Sequence, residues 1–204
     1  MKVVIVGGVA GGATAAARLR RLDEQAEIVI FERSGYISYA NCGLPYYIGG
    51  VIEDEEELTL QTPESFYNRF RIKVNVNHEV VEINPTDKTV EVKNLATGET
   101  FIEKYDKLIL SPGAKPILPN FYVESNNVFT LRTVEDTLKI HSFIKDKQPK
   151  SAVVIGGGFI GLEMAENLQE LGLSVSIVQR GNHLLPTLDC DMASFVHAKF
   201  RQKG

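Results

Sequence analysis

An α/β fold is predicted by three features of the 204-residue sequence. Twice, near residue 2 and near residue 152, a β-branched run leads into a glycine-rich turn and then into helical periodicity. Between them, from residue 71 onward the sequence alternates with period two and carries the turn signals NPTD and ATGE, which predicts an antiparallel meander.

Element by element, KVVIVG at residues 2–7 reads as a strand buried on both faces of a parallel sheet. A helix is predicted from about Gly11 to Leu22, and EIVIFER at residues 27–33 is a second strand that completes a βαβ unit. The acidic IEDEEE at residues 52–57 reads as a solvated loop. DKLILSPGAKP carries a further buried strand ending in a Pro-Gly break, and PILPN then reads as a crossover, so a domain boundary is expected near residue 113. Helices are expected around TVEDTLKIHSFIKD and from near Asp189. The second βαβ unit starts at residue 151 and has too few strands for a complete sheet.

Composition narrows the function. The formal net charge of -4 and pI near 5.6 leave no basic excess for a polyanion, so nucleic acid is not an expected partner. No segment reaches the ~20 apolar residues of a membrane helix, and the opening run is broken by four glycines before an arginine-rich stretch, unlike a signal peptide. The two cysteines, Cys42 and Cys190, form no disulfide framework and no CxxC pair, which fits a cytoplasmic setting.

Gly156, Gly158 and Gly161 form a full GxGxxG between strand and helix. Such glycines give a tight turn, close approach to a pyrophosphate and close helix–strand packing, while the helix N-terminus offers N–H groups to the phosphates. The first loop, Gly7-Gly8-Val9-Ala10-Gly11-Gly12, has valine at the middle position. Glu32, 25 residues after Gly7, stands where a carboxylate accepts the hydroxyls of an adenosine ribose. In the second unit that strand ends in Gln179-Arg180, without a carboxylate, which leans towards the 2′-phosphate of NADP(H). Two dinucleotide sites imply electron transfer between FAD and a nicotinamide. The expected architecture is a Rossmann-like FAD-binding domain with an antiparallel meander over residues 1–113, lacking its return segment. The start of a second Rossmann-like, NAD(P)-binding domain follows over residues 114–204.

VGGVAGGATAAARLRRL, SYANCGLPYYIGG, YDKLILSPGAKP and IGGGFIGLEMAENL together resemble the pyridine nucleotide-disulfide oxidoreductases of the coenzyme A-disulfide reductase type. The resemblance implies that Cys42 is a single redox-active cysteine, since Ile37 occupies the position of the second cysteine in dithiol relatives. It implies that NAD(P)H reduces the flavin and that the electrons release coenzyme A from a Cys42–CoA mixed disulfide. FAD and NAD(P)H contacts are implied at Gly7, Gly8, Val9, Ala10, Gly11, Gly12, Glu32 and Arg33. Further along the chain they fall at Val80, Ser111, Gly113, Arg132, Gly156, Gly158, Phe159, Ile160, Gly161, Glu163, Gln179 and Arg180. Coenzyme A contacts are implied at Thr14, Arg18, Arg21, Ser38 and Asn41. Arg18 stands in place of a glutamine, and Phe70 in place of a lysine for which Arg69 or Arg71 is a substitute.

The residues themselves support part of that substrate site. Thr14, Arg18 and Arg21 share one face of the first predicted helix, with Ala15, Leu19 and Leu22 as the expected core-facing stripe. Cys190 reads as a small buried hydrophobe, and packing is the reading for Tyr39, Tyr46 and Tyr47. Two other chemistries share the motif. An NADH oxidase or peroxidase resembles this chain but carries a histidine where Val9 stands, whereas a polysulfide or persulfide reductase would use the same cysteine. A third reading is a non-catalytic truncated FAD-binding fragment. Longer relatives of the family continue through the nicotinamide domain and form homodimers, so the 204 residues alone are expected to have little reductase activity.

Overall fold

The computed structural model describes residues 1–203. The chain runs β1 (Lys2–Val6), α1 (Ala10–Leu22), β2 (Glu27–Phe31), β3 (Ile37–Tyr39), a 3-10 turn (Asn41–Gly43) and α2 (Leu44–Ile48). A second 3-10 turn (Glu55–Leu58) overlaps the end of the predicted acidic loop and precedes β4 (Thr59–Gln61), α3 (Pro63–Phe70) and β5 (Lys73–Asn75). There follow β6 (His78–Asn84), β7 (Thr89–Asn94), β8 (Thr100–Lys104) and β9 (Lys107–Leu110). The last elements are α4 (Val134–Lys147), β10 (Ser151–Ile155), α5 (Phe159–Glu170), β11 (Ser174–Val178) and α6 (Cys190–Lys203). Among the described residues, no helix is long and apolar enough to cross a membrane.

The chain divides into two compact units, Met1–Ala40 with Thr59–Ile117, and Asn41–Leu58 with Leu118 onward. One division falls after Ile117, four residues beyond the expected boundary near residue 113; the difference from expectation is that the segment Asn41–Leu58, containing Cys42, leaves the first unit and packs with the second. The reason lies in α2, whose Leu44, Pro45, Tyr47 and Ile48 are all buried against helices of the second unit.

In the first unit, β5-β2-β1-β9 form a parallel sheet, with Lys2 opposite Glu27 and Val3 opposite Lys107. Strand alternation sends Val3, Ile5, Ile28 and Ile30 to one face, where Ala13 and Ala16 of α1 and Phe66 of α3 cover them. Val4, Val29 and Phe31 point to the other face, against Val90 and Val92 of the antiparallel β6-β7-β8 sheet. Each such fully buried aliphatic or aromatic side chain contributes about 1.5–3 kcal/mol, so the meander covers a sheet face that would otherwise be exposed.

The core face of α1 differs from expectation. Gly12, Ala13 and Ala16 are its buried residues, with Ala17 and Leu19 packed beside them, whereas Leu22 is 67% exposed. Small side chains let the helix lie close to the sheet, so the contact line runs along the alanines and misses the final leucine. Arg20 seals that end: its guanidinium donates to the carbonyls of Phe70, Asp23, Glu24 and Arg71, tying α1 to the end of α3.

In the second unit β10 and β11 pair in parallel, Ser151 opposite Ser174. One face packs through Val154, Ala152 and Val175 against Met164 and Leu168 of α5, Ile140 of α4 and Ile48 of α2. Val153, Ile155 and Val178 are exposed. α6 joins through Val196 and Phe200, which pack with Leu162, Leu184 and Leu185.

Candidate functional site

The first glycine loop follows directly from β1. Gly7 has φ +93 and donates its N–H to the Phe31 carbonyl at 2.8 Å. A Cβ at Gly7 would lie 2.0 Å from the Ser111 carbonyl oxygen, and one at Gly12 would lie 1.8 Å from the Gly7 carbonyl oxygen. Glycine is therefore required at both positions. α1 starts beyond Val9 with no capping side chain and no acidic residue in its first turn, which leaves its N–H groups for an anion.

Glu32 is buried, 8% exposed, and each of its oxygens holds a backbone group. Oε2 accepts the Gly8 N–H at 2.7 Å and Oε1 accepts the Ser34 N–H at 2.8 Å. A carboxylate offers about four lone-pair positions, so two remain for ribose hydroxyls. The carboxylate thus shapes the loop and keeps unused acceptor positions.

The second loop repeats this set of contacts. Gly156, φ +112, donates to the Val178 carbonyl at 2.9 Å, and a Cβ at Gly161 would lie 1.9 Å from the Gly156 carbonyl oxygen. Gly157 N–H donates to Gln179 Oε1 at 2.9 Å, as Gly8 does to Glu32. The carbonyl of Gly8 accepts the Ser38 N–H at 3.0 Å, and that of Gly157 accepts the Leu185 N–H at 2.7 Å. Ser38 and Leu185 are both left-handed, with φ 47 and 50. Gln179 therefore performs the structural task of Glu32 without its charge. Arg180 beside it is exposed.

The remaining expected contacts divide between the units. In the first, Thr14, Arg18 and Arg21 are exposed on α1; Arg33 is exposed, 3.8 Å from Glu79; Val80 is half-buried against the Phe31 cluster. Ser111 ends the pairing of β9, its N–H donating to the Val6 carbonyl at 2.7 Å, and Gly113 has φ +71. Arg69 stacks its guanidinium 5.1 Å from the Phe70 ring centroid, and Arg71 is the left-handed cap of α3. In the second, Phe159 and Ile160 are exposed at the start of α5, and the Glu163 carbonyl accepts from Asn167 Nδ2 at 2.8 Å.

Cys42 is exposed in the 3-10 turn Asn41–Gly43, immediately before α2. Asn41 Oδ1 accepts from Arg132 Nη1 at 2.9 Å, a contact 91 residues apart in sequence. Arg132 is in turn fixed by the capping box of α4, where its N–H and that of Thr133 donate to Asp136 Oδ2 at 3.0 and 3.1 Å. Tyr39 and Tyr47 are buried and Tyr46 is half-buried, in keeping with packing; the Tyr47 ring lies 5.1 Å from that of His141. Burial raises the Tyr47 hydroxyl above the ordinary tyrosine range, with Glu55 and Asp54 adding to the effect. Cys190 corrects its sequence reading: it is exposed, because it opens α6 at the surface rather than facing the core.

Sequence reasoning missed the Arg132–Asn41 bond and the repeated backbone contacts. The second of these carried a signal: Ser38 and Leu185 stand at nearly equal distances, 31 and 29 residues, from Gly7 and Gly156.

Two βαβ units, each closing a glycine loop with a strand-end side chain, define a protein with two dinucleotide-binding sites. The chain belongs to the pyridine nucleotide-disulphide oxidoreductase family, whose pattern it matches over residues 1–204. It is 49% identical over 191 residues to a coenzyme A disulfide reductase of Staphylococcus aureus (strain JH9), covering 94% of this chain and 43% of that protein. Reduced Bacillus anthracis CoADR-RHD superposes with a TM-score of 0.95 at 52% identity, over 99% of this chain and 37% of that one. A NAD-dependent persulfide reductase from A. fulgidus gives 0.95 at 35% identity, over 100% of this chain and 39% of that one. The chain thus spans less than half the length of these relatives.

Proposed function

We propose that the protein is an FAD-dependent reductase that uses NAD(P)H to reduce coenzyme A disulfide, with Cys42 as its single redox-active thiol. The observation that carries this reading is the exposed Cys42 in the turn before α2, with Ile37 where a second cysteine would be needed. FAD fits the Gly7–Gly12 loop, whose glycines let the turn close tightly on Ser111 and on the start of α1, and Glu32 has acceptor capacity left. NAD(P)H fits the Gly156–Gly161 loop, and Gln179 with Arg180 favours NADPH, since neither repels a 2′-phosphate.

When bound, the nicotinamide and the flavin together supply two electrons. The chain supplies the sulfur chemistry. The Cys42 thiolate attacks one sulfur of CoA–S–S–CoA, forming a Cys42–S–S–CoA bond and releasing one CoA thiolate. Two electrons then break that bond, returning the Cys42 thiolate and a second CoA thiolate, and protons from water complete two CoA thiols per NAD(P)H. Thr14, Arg18 and Arg21 on α1 supply cationic and hydroxyl groups for CoA phosphates, and Ser38 and Asn41 precede the reacting cysteine in sequence. A homodimer in the cytoplasm is the assembly and setting that accompany this reading.

The test is consumption of NADPH and NADH by the intact, flavin-loaded protein with coenzyme A disulfide, hydrogen peroxide or a persulfide as acceptor. Fastest turnover with coenzyme A disulfide, and its loss in Cys42→Ser, are expected. Turnover with peroxide alone would overturn the substrate assignment in favour of an oxidase or peroxidase. Turnover with persulfide alone would make the protein a persulfide reductase.

A further inference from the structure

We propose that Arg132 is a positioning residue for the cysteine motif, holding the Asn41 side chain so that it meets a ligand at Cys42 only as a hydrogen-bond donor. The inference rests on the preceding reading for the identity of that ligand, but its geometry does not.

A guanidinium has five N–H donors and no acceptor. Only the amide oxygen of Asn41 can face it, so the 2.9 Å contact from Arg132 Nη1 selects one of the two amide orientations. The Nδ2 hydrogens are then what Asn41 has left to offer. Groups that can receive them are the sulfur of a thiolate or disulfide and the amide carbonyl of a thiol such as coenzyme A. In the opposite orientation the side chain would present an acceptor to the same groups, and a thiolate would be repelled.

Both ends of the contact are anchored independently. Arg132 is held at its backbone by Asp136 of the α4 capping box, and Thr133 Oγ1 accepts from the Asp136 N–H at 3.2 Å. Asn41 and Cys42 share one turn, and the helix that continues from it is buried through Leu44, Tyr47 and Ile48, with Tyr47 against His141 of α4. Packing of α2 on α4 therefore sets the distance between residues 41 and 132, and the hydrogen bond sets which amide end faces outward. Arg132 was expected to contact a cofactor; a guanidinium with one Nη1 hydrogen bond to Asn41 retains donors for that role.

The experiment is a double-mutant cycle in the intact protein with Cys190→Ser, so that Cys42 is the remaining thiol within residues 1–204, and the modified peptide is identified by mass spectrometry. Asn41→Ala, Arg132→Leu and the pair are compared for the rate of thiol–disulfide exchange at Cys42, using coenzyme A disulfide and hydroxyethyl disulfide as probes. Each single change is expected to slow exchange by about three- to tenfold, and the pair by no more than Asn41→Ala alone. Arg132→Lys, which keeps a donor, should recover part of the Arg132→Leu loss. Multiplying effects in the pair, or an unchanged rate in Asn41→Ala, would overturn the proposal. A protein that ignores coenzyme A disulfide but exchanges with hydroxyethyl disulfide sinks the substrate reading, while the second probe still decides the role of Arg132. Asn41→Asp provides a check that does not depend on loss of packing: it strengthens the pairing to Arg132 and removes the donors, so thermal stability should hold while exchange slows.

Discussion

Replacing Glu32 by alanine removes the acceptor for two backbone N–H groups at once. The bonds are 2.7 Å to Gly8 and 2.8 Å to Ser34, and the side chain is only 8% exposed. A buried donor left without a partner costs about 1–3 kcal/mol. The Gly8 donor is buried and the Ser34 donor half-buried, where water reaches it, so the total falls at about 2–4 kcal/mol. Glu32→Gln should cost less, about 1–2 kcal/mol, because an amide oxygen can still hold Gly8, as Gln179 holds Gly157 in the second loop. Urea denaturation measures the stability of each variant, and visible absorbance after gel filtration measures retained flavin. The expected order for both is wild type, Glu32→Gln, Glu32→Ala. A Glu32→Ala protein with an unchanged midpoint and full flavin would refute both the structural and the ligand role.

Gln179→Glu keeps an acceptor for Gly157 but sets a negative charge beside the proposed 2′-phosphate; stability should stay unchanged while the NADPH KM rises about tenfold relative to that of NADH. Equal changes for both nucleotides would remove the assignment of that strand end. Gly49→Ala places a Cβ 2.0 Å from Asn167 Oδ1, a buried oxygen without a hydrogen-bond partner. It should destabilise by about 1–3 kcal/mol and much less in an Asn167→Ala background; additive effects in denaturation would show that the two do not interlock. Lys2 Nζ lies 2.6 Å from Glu103 and 2.7 Å from Glu27, and these partners, Glu103 foremost, raise its pKa. A raised lysine stabilises the fold below the free-lysine range and ceases to do so as pH climbs through its elevated value. The stability deficit of Lys2→Met at neutral pH should therefore shrink above pH ~10, and a deficit that grows with pH would reverse the sign of the argument.

The βαβ units and the body of the meander were legible because β-branched runs, glycine turns and period-two alternation are local signals, but Lys73–Asn75, expected in the meander, pairs in parallel with β2 because alternation does not say which strand is the partner. The ends of α1 and α4 came close for the same reason. Leu22 was misjudged because periodicity shows that a stripe exists but not which stripe touches the sheet; the alanines decide it by size. Cys190 is a related case, since a lone cysteine carries no periodicity at all. Assignment of Asn41–Leu58 to the second unit depends on contacts of α2 with helices about 90 and 120 residues later, which no local pattern records. The Arg132–Asn41 bond was hidden for that reason. The equivalence of Glu32 and Gln179 was partly visible as spacing, but their shared grip on a glycine N–H is a matter of backbone geometry.

The central claim is that Cys42 alone carries the redox chemistry. Mass spectrometry of peptides from the intact protein after incubation with coenzyme A disulfide tests it directly, because both cysteines of residues 1–204 are exposed and either is accessible to reagent. The account predicts one coenzyme A bound through a disulfide to the Cys42 peptide, released on addition of NADPH and absent in Cys42→Ser. Coenzyme A found on Cys190 alone, or an adduct at Cys42 that NADPH leaves in place, would contradict it.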